Sequence, residues 1–152
     1  MKKIIFVCLG NICRSPAAEY ICKQILLDMG LENKYEIISR ATSYEESGND
    51  IYPPMKRELI NQGIKFSKHF ATRINQKDYE WADYIFYMEE TNKYNLDRIL
   101  VDNKKIIFPI YKFTDGINRV EDPWYSDRYE LVVSQIKKCV HDIIKNIENG
   151  VI

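Results

Sequence analysis

Two residues with complementary chemistry, Cys8 and Arg14, stand six positions apart near the start of the chain. The thiolate form of cysteine is a nucleophile, and a nearby guanidinium or helix N-terminus lowers the pKa of a thiol below its free value of about 8.5. Arginine presents a planar fork of donors that holds two oxygens of a phosphoryl group. A loop that closes between these residues sets nucleophile and clamp against one oxyanion, which suits phosphoryl transfer.

The residues around this pair predict a phosphate-binding loop. The apolar run 4–7 is typical of a buried parallel strand, and residues 17–27 have helical composition and spacing. Such a unit points backbone N–H groups and the positive helix end at an anion. Gly10 and Asn11 tolerate unusual backbone dihedrals, while Ser15 and Pro16 suit the cap and first turn of the helix. The predicted phosphate-binding residues are Leu9, Gly10, Asn11, Ile12, Cys13 and Arg14.

The run Val-Cys-Leu-Gly-Asn-Ile-Cys-Arg-Ser-Pro at 7–16 resembles the signature of the low-molecular-weight protein tyrosine phosphatases. The resemblance continues in Asp-Pro-Trp-Tyr at 122–125, and the element spacing between the two motifs agrees, so it covers nearly the whole chain. It implies hydrolysis of phosphotyrosine in proteins through a phosphocysteine, without metal or cofactor. Inorganic phosphate is the implied product, and relatives are mostly monomers.

Asp122 is the predicted general acid and base. An Asp-Pro pair by itself favours a turn. Transfer of a phosphoryl group from tyrosine, however, requires protonation of the leaving phenolate, and hydrolysis of a cysteinyl phosphate requires activation of water. A carboxylate on a loop stiffened by Pro123 suits both steps. Its match to the acid position of the family assigns it this role.

The substrate cleft is expected to be a deep slot for an aromatic ring, which favours phosphotyrosine over the shorter phosphoserine. Aromatic side chains can also serve only as loop packing, but the resemblance favours a slot wall built of Ile12, Tyr44, Trp124 and Tyr125. Glu45 and Glu46 stand at the rim, where many relatives carry an aromatic or neutral residue. Their charge predicts that acidic sequence flanking the phosphotyrosine is disfavoured.

Three supporting roles complete the predicted site. The Ser15 hydroxyl is expected to donate to the thiolate of Cys8 and later to the departing sulfur. In relatives the cysteines matching Cys8 and Cys13 form a reversible disulfide that shields the nucleophile from over-oxidation, and Cys13 equally suits a small apolar filler. His69 aligns with a histidine that in relatives hydrogen-bonds the loop asparagine.

Two positions depart from the family pattern. Relatives usually have Ser-Ala-Gly-Thr after the second strand, where this chain has Ser39-Arg40-Ala41-Thr42. They commonly place aspartate after the third strand, where this chain has Glu89. We expect these changes to affect the crossover backbone and the support network, and to leave the nucleophile, clamp and acid untouched.

Composition limits the partners and the compartment. Lys+Arg and Asp+Glu both number 22, so no general basic field is present to hold nucleic acid or a membrane. The four cysteines form no secreted disulfide framework, and Cys22 and Cys139 suit packing. No apolar stretch approaches the about 20 residues that span a bilayer. A cytoplasmic protein with free thiols is predicted.

The pattern of elements predicts one α/β domain over residues 1–152. Strands at 4–7, 35–39, 84–88 and 105–108 alternate with helices, which favours a central four-stranded parallel sheet with helices on both faces. The phosphate-binding loop follows strand 1, at the sheet edge where ligands bind in such folds. Ser126 or Asp127 is expected to cap the last helix.

Other functions on similar scaffolds are weighed against this prediction. A phosphoarginine phosphatase is the closest alternative, but those relatives carry threonine at the position of Ile12. Arsenate reductases need two more redox cysteines in a central segment, and residues 23–138 contain none. A metallophosphatase is disfavoured, because the chain has only two histidines and no cluster with the spacing of metal ligands. A non-enzymatic phosphate-sensing or carrier module has no need of the arginine clamp or of Asp122.

Overall fold

The computed structural model describes residues 1–152 and is built on one four-stranded parallel sheet. The strands are β1 (Lys2–Cys8), β2 (Tyr35–Ala41), β3 (Tyr84–Tyr87) and β4 (Ile107–Pro109), in the order β2-β1-β3-β4. All three pairings are parallel, as the alternation of strands and helices predicts. Because β1 is central, the chain segment that follows Cys8 starts at the middle of the carboxyl edge of the sheet.

Six α-helices and one 3-10 turn connect and cover the strands. The 3-10 turn spans Glu32–Lys34, and the helices are α1 (Arg14–Asp28), α2 (Pro53–Asn61), α3 (Gln76–Trp81), α4 (Glu90–Ile99), α5 (Pro123–Ser126) and α6 (Tyr129–Glu148). None of these helices has the length and apolar character required to cross a bilayer.

The sheet is buried on both faces because β1 sends alternate side chains to two hydrophobic clusters. Ile4 and Phe6 lie in the larger cluster, which also contains the apolar faces of α1 and α6. Ile5 and Val7 lie in the smaller cluster, on the side covered by α3 and α4. This arrangement explains why the apolar run at 4–7 is continuous rather than alternating.

The starts of two helices differ from the sequence predictions. Helix α1 begins at Arg14 with Cys13 as its N-cap and no side-chain cap, so the prediction that Ser15 caps the helix is wrong. Helix α6 has Arg128 as its N-cap, also without a side-chain cap, so the prediction of Ser126 or Asp127 is wrong. Ser126 instead ends α5, and Asp127 adopts a left-handed conformation between the two helices.

Candidate active site

The phosphate-binding loop is shaped by Asn11, the residue with φ of 59° at its centre. The Asn11 side chain donates to Ser15 Oγ at 2.7 Å and to Ser39 Oγ at 3.0 Å, and its Oδ1 accepts from the backbone N–H of Thr72 at 3.0 Å. His69 Nε2 hydrogen-bonds the Asn11 carbonyl oxygen at 2.6 Å. The loop is therefore held in shape from three sides before any ligand binds.

Gly10 does not adopt a positive φ, although the sequence suggested an unusual backbone there. A β-carbon at this position would lie 3.3 Å from Glu46 Cγ. A side chain at position 10 would therefore make a tight contact with Glu46, whose side chain packs over the loop.

The sulfur of Cys8 lies inside this loop. Cys8 ends β1 and is 3% exposed, and its Sγ lies 3.0 Å from Ser15 Oγ. The backbone N–H of Asn11 donates to the same sulfur at 3.3 Å. A hydroxyl and a backbone amide therefore lie within hydrogen-bond distance of one sulfur. Ser15 thus uses its hydroxyl on Cys8 rather than on a helix end.

The guanidinium of Arg14 lies beside this sulfur and is shared by several acceptors. Arg14 is 2% exposed; its Nη1 forms an ion pair with Glu89 and donates to the Val120 carbonyl oxygen at 3.0 Å. Burial opposes the charge of Arg14, but Cys8, Glu89 and Asp122 together raise the pKa of the guanidinium. Arg14 is therefore a permanently charged, fully oriented donor at the mouth of the loop.

Asp122 lies on a separate loop that reaches over the phosphate-binding loop. Its Oδ1 accepts from the backbone N–H of Trp124 at 3.0 Å, and its Oδ2 is 3.6 Å from Arg14 Nη2. The flanking Glu121 forms an ion pair with Arg128, which closes the loop on itself. The structure therefore brings Cys8, Arg14 and Asp122 together, although Asp122 follows Cys8 by more than a hundred residues.

A cleft of about 230 Å³ opens above these residues. Ile12, Trp124 and Tyr125 line it as predicted, and so do Glu45 and Glu46. Tyr44 does not: its hydroxyl accepts from Arg73 Nη1 at 3.0 Å, and its ring lies 4.4 Å from the Arg73 guanidinium carbon. The prediction of Tyr44 as a cleft wall is therefore not matched by the geometry, because a cation–π contact holds the ring away.

Cys13 lines the same cleft as Cys8. It is buried and not disulfide-bonded. Burial first, and then the charge of Cys8, raise the pKa of the Cys13 thiol, which is therefore protonated at neutral pH. A protonated thiol is a poor nucleophile. The redox role of Cys13 stays a prediction.

Two carboxylates of the support network were not predicted as site residues. Glu19 accepts from Ser39 Oγ at 2.7 Å and so closes the hydrogen-bond chain that begins at Asn11. Glu19 lies one turn after Ser15 on α1, so both side chains are on the buried side of the helix. This spacing was the signal in the sequence for Glu19. Glu89 lies two residues after the end of β3, the strand beside β1, and this position at the carboxyl edge was the available signal.

Neither departure from the family pattern distorts the site. Strand β2 continues through Arg40 to Ala41, which pairs with Cys8, and the Arg40 carbonyl oxygen lies 3.3 Å from Ser15 Oγ. The backbone N–H groups of Met88 and Glu89 both donate to the Asn92 side chain, which fixes Glu89 at the start of α4. No group of three or more His, Cys, Asp or Glu side chains is arranged to hold a metal ion.

The fold and the site together define an α/β protein whose strand–loop–helix unit presents a cysteine and an arginine to an anion. A family model described as low molecular weight phosphotyrosine protein phosphatase matches residues 3–151. The phosphatase of that name from Gallus gallus is 36% identical over 148 residues, covering 91% of each chain. The low molecular weight protein-tyrosine-phosphatase PtpA of Staphylococcus saprophyticus is 32% identical over 148 residues, covering 97% of this chain and 94% of its own.

Solved structures agree with these sequence relatives. A protein tyrosine phosphatase from Entamoeba histolytica superposes with a TM-score of 0.93 at 30% identity, covering 100% of both chains. YfkJ from Bacillus subtilis superposes with a TM-score of 0.94 at 29% identity, covering 99% of this chain and 96% of its own. The chain belongs to the low molecular weight phosphotyrosine protein phosphatase family and is a protein-tyrosine-phosphatase.

Proposed function

We propose that the protein hydrolyses phosphotyrosine in proteins with Cys8 as nucleophile, Arg14 as phosphate clamp and Asp122 as general acid and base. The observation that carries this assignment is the sulfur of Cys8, which lies 3.0 Å from Ser15 Oγ and 3.3 Å from the Asn11 backbone nitrogen. The same cleft is lined by Arg14 and Asp122.

In the first step the Cys8 thiolate attacks phosphorus, and the bond between phosphorus and the phenolic oxygen breaks. The phosphoryl oxygens are held by the loop N–H groups and by the Arg14 guanidinium, where transition-state charge develops. Protonated Asp122 gives its proton to the leaving phenolate, which departs as tyrosine. The products of this step are a phosphocysteine and an Asp122 carboxylate.

In the second step the Asp122 carboxylate takes a proton from water, and the oxygen of that water attacks phosphorus. The bond between phosphorus and sulfur breaks, inorganic phosphate leaves, and Ser15 donates a hydrogen bond to the sulfur as it regains its charge. Both steps use groups of this chain only, so no metal or cofactor is required by the proposed mechanism.

Ile12 supports phosphotyrosine rather than phosphoarginine as the substrate. Its apolar side chain lines the cleft together with Trp124 and Tyr125, so the wall is suited to a phenyl ring. A guanidinium would have no polar partner at the position of Ile12 itself.

Turnover in the presence of EDTA tests the proposed mechanism. We expect a phosphotyrosine peptide and p-nitrophenyl phosphate to be hydrolysed under EDTA, and the Cys8→Ser variant to lose at least about 10³-fold in kcat because its hydroxyl is a far weaker nucleophile. The variant should still bind the peptide, and Cys22→Ser serves as the matched control at a fully buried cysteine. Full activity of Cys8→Ser, or faster turnover of a phosphoarginine peptide, would contradict the proposal.

A further inference from the structure

Tyr52 connects the phosphate-binding loop to the loop that carries Asp122. Its backbone N–H donates to the Ile12 carbonyl oxygen at 2.8 Å. Its ring packs against the ring of Trp124, with centroids 5.0 Å apart and planes inclined by 54°. One half-buried residue therefore contacts both parts of the candidate active site.

The contact reaches Asp122 through Trp124. The backbone N–H of Trp124 donates to Asp122 Oδ1 at 3.0 Å. The position of the Trp124 backbone therefore constrains the position of the carboxyl group. The Trp124 residue is 57% exposed, and Tyr52 is the one aromatic ring that packs against it. Removal of the Tyr52 ring therefore removes the aromatic packing contact of the Trp124 side chain.

The hydrogen bond and the ion pair between the two loops both come from Arg14. Its guanidinium reaches Asp122 at 3.6 Å and the Val120 carbonyl oxygen at 3.0 Å. A bound phosphoryl group competes for the same guanidinium during the reaction. The Glu121–Arg128 ion pair stabilises the Asp122 loop internally and does not reach the phosphate-binding loop. The packing of Tyr52 on Trp124 is thus independent of whether Arg14 holds phosphate.

We propose that Tyr52 is a positioning residue whose ring, through Trp124, places the carboxyl group of Asp122 for proton transfer. The inference rests on the proposed function, because it takes Asp122 as the general acid. The ring rather than the hydroxyl carries the effect, since the contact is between the two tilted aromatic rings. A displacement of about 1 Å in a catalytic group costs up to about 10²-fold in rate, so the effect is measurable.

The test compares Tyr52→Ala and Tyr52→Phe on a poor and a good leaving group. Alanine keeps the backbone N–H that bonds Ile12, so the substitution removes only the ring. We expect Tyr52→Ala to lower kcat about tenfold on phenyl phosphate and less than about threefold on p-nitrophenyl phosphate, which needs less protonation. Tyr52→Phe should match the wild type. The inhibition constant of inorganic phosphate should stay unchanged, because the phosphate-binding loop is intact.

Two further variants make the outcome decisive. Tyr20→Ala removes another half-buried ring, which packs against Phe66 outside the cleft with ring centroids 6.4 Å apart. This control should leave kcat on both substrates unchanged. In the Asp122→Ala background, Tyr52→Ala should add no further loss, because the two residues act through one proton transfer.

Equal losses on both substrates, or weaker inhibition by phosphate, would show that the Tyr52 ring supports the phosphate-binding loop or the fold, and would overturn this inference alone. If Asp122→Ala itself is insensitive to the leaving group, the assignment of Asp122 is wrong, and the inference fails with it.

Discussion

Asp122 and Glu89 both contact the guanidinium of Arg14, but at different distances. Glu89 forms the closer ion pair with Arg14, while Asp122 Oδ2 lies 3.6 Å away and its side chain is 22% exposed. Because Glu89 is the carboxylate paired with Arg14, we propose Asp122, rather than Glu89, as the group that exchanges a proton with the substrate and with water. In this proposal Glu89 orients the Arg14 guanidinium.

The assignment of Asp122 as the general acid predicts that the loss of kcat in Asp122→Ala depends on the leaving group. We expect kcat on phenyl phosphate to fall by about 10²–10⁴-fold, the usual contribution of general acid catalysis. The loss on p-nitrophenyl phosphate should be smaller, because nitrophenolate is a stable leaving group without protonation. Steady-state kinetics on both substrates measure the difference, and equal losses would count against Asp122 as the acid.

At the scale of elements, the loop after β2 places two uncompensated carboxylates at the cleft rim. Glu46 accepts from Asn49 Nδ2 at 2.7 Å, and the loop is tied down by the bond from the Gly48 N–H to the Ala71 carbonyl oxygen at 2.8 Å. Neither Glu45 nor Glu46 forms a salt bridge. We expect the negative charge of this rim to repel acidic substrates that approach the cleft.

Matched phosphopeptides test this rim. A peptide with lysines flanking the phosphotyrosine should show kcat/KM about fivefold higher than one with aspartates, since each exposed charge contact contributes up to about 1 kcal/mol. The preference should shrink in the Glu45→Gln/Glu46→Gln variant and at high salt. Asp115→Asn, a charge change at an exposed position away from the cleft, is the control. A preference for the acidic peptide would refute the role of the rim.

For the whole molecule, three carboxyl groups with a lowered pKa link stability to pH. A hydrogen bond from Lys56 lowers the pKa of Asp50 from 3.8 to about 2. Bonds from Ser126 and then Arg128 lower the pKa of Glu121, and the Tyr35 hydroxyl lowers that of Glu148. A carboxyl group whose pKa is lower in the folded state stabilises the fold above its unfolded pKa, and this contribution disappears as pH falls through the folded pKa.

Asp50→Asn measures one part of this linkage. Asp50 accepts from Lys56 Nζ at 2.6 Å and from the His69 backbone N–H at 3.0 Å, so it fixes the segment that supports Asn11. We expect the variant to lose about 1 kcal/mol of unfolding free energy at pH 6 and the deficit to close between about pH 4 and pH 2. Urea unfolding at several pH values measures it. A deficit that persists unchanged at pH 2 would contradict the assignment.

The sequence by itself determined the parallel sheet and the phosphate-binding loop, because both depend on contiguous residues. The apolar run at 4–7 requires burial on both faces, and the chemistry of Cys8, Asn11 and Arg14 lies within one short loop whose geometry is local. The match of Asp122 to the family motif predicted a carboxylate that the fold does bring to Arg14.

Only the tertiary structure decided which distant side chains meet at this loop. Glu89 on Arg14, Tyr44 on Arg73, and Tyr52 on Trp124 are contacts between separate elements. Whether the Ser15 hydroxyl hydrogen-bonds Cys8 or caps α1 likewise depends on how the loop packs against β2. Local sequence patterns predict whether each segment forms a strand, a helix or a loop. Long-range packing determines which partner each side chain finds, because that depends on how the helices seat on the sheet.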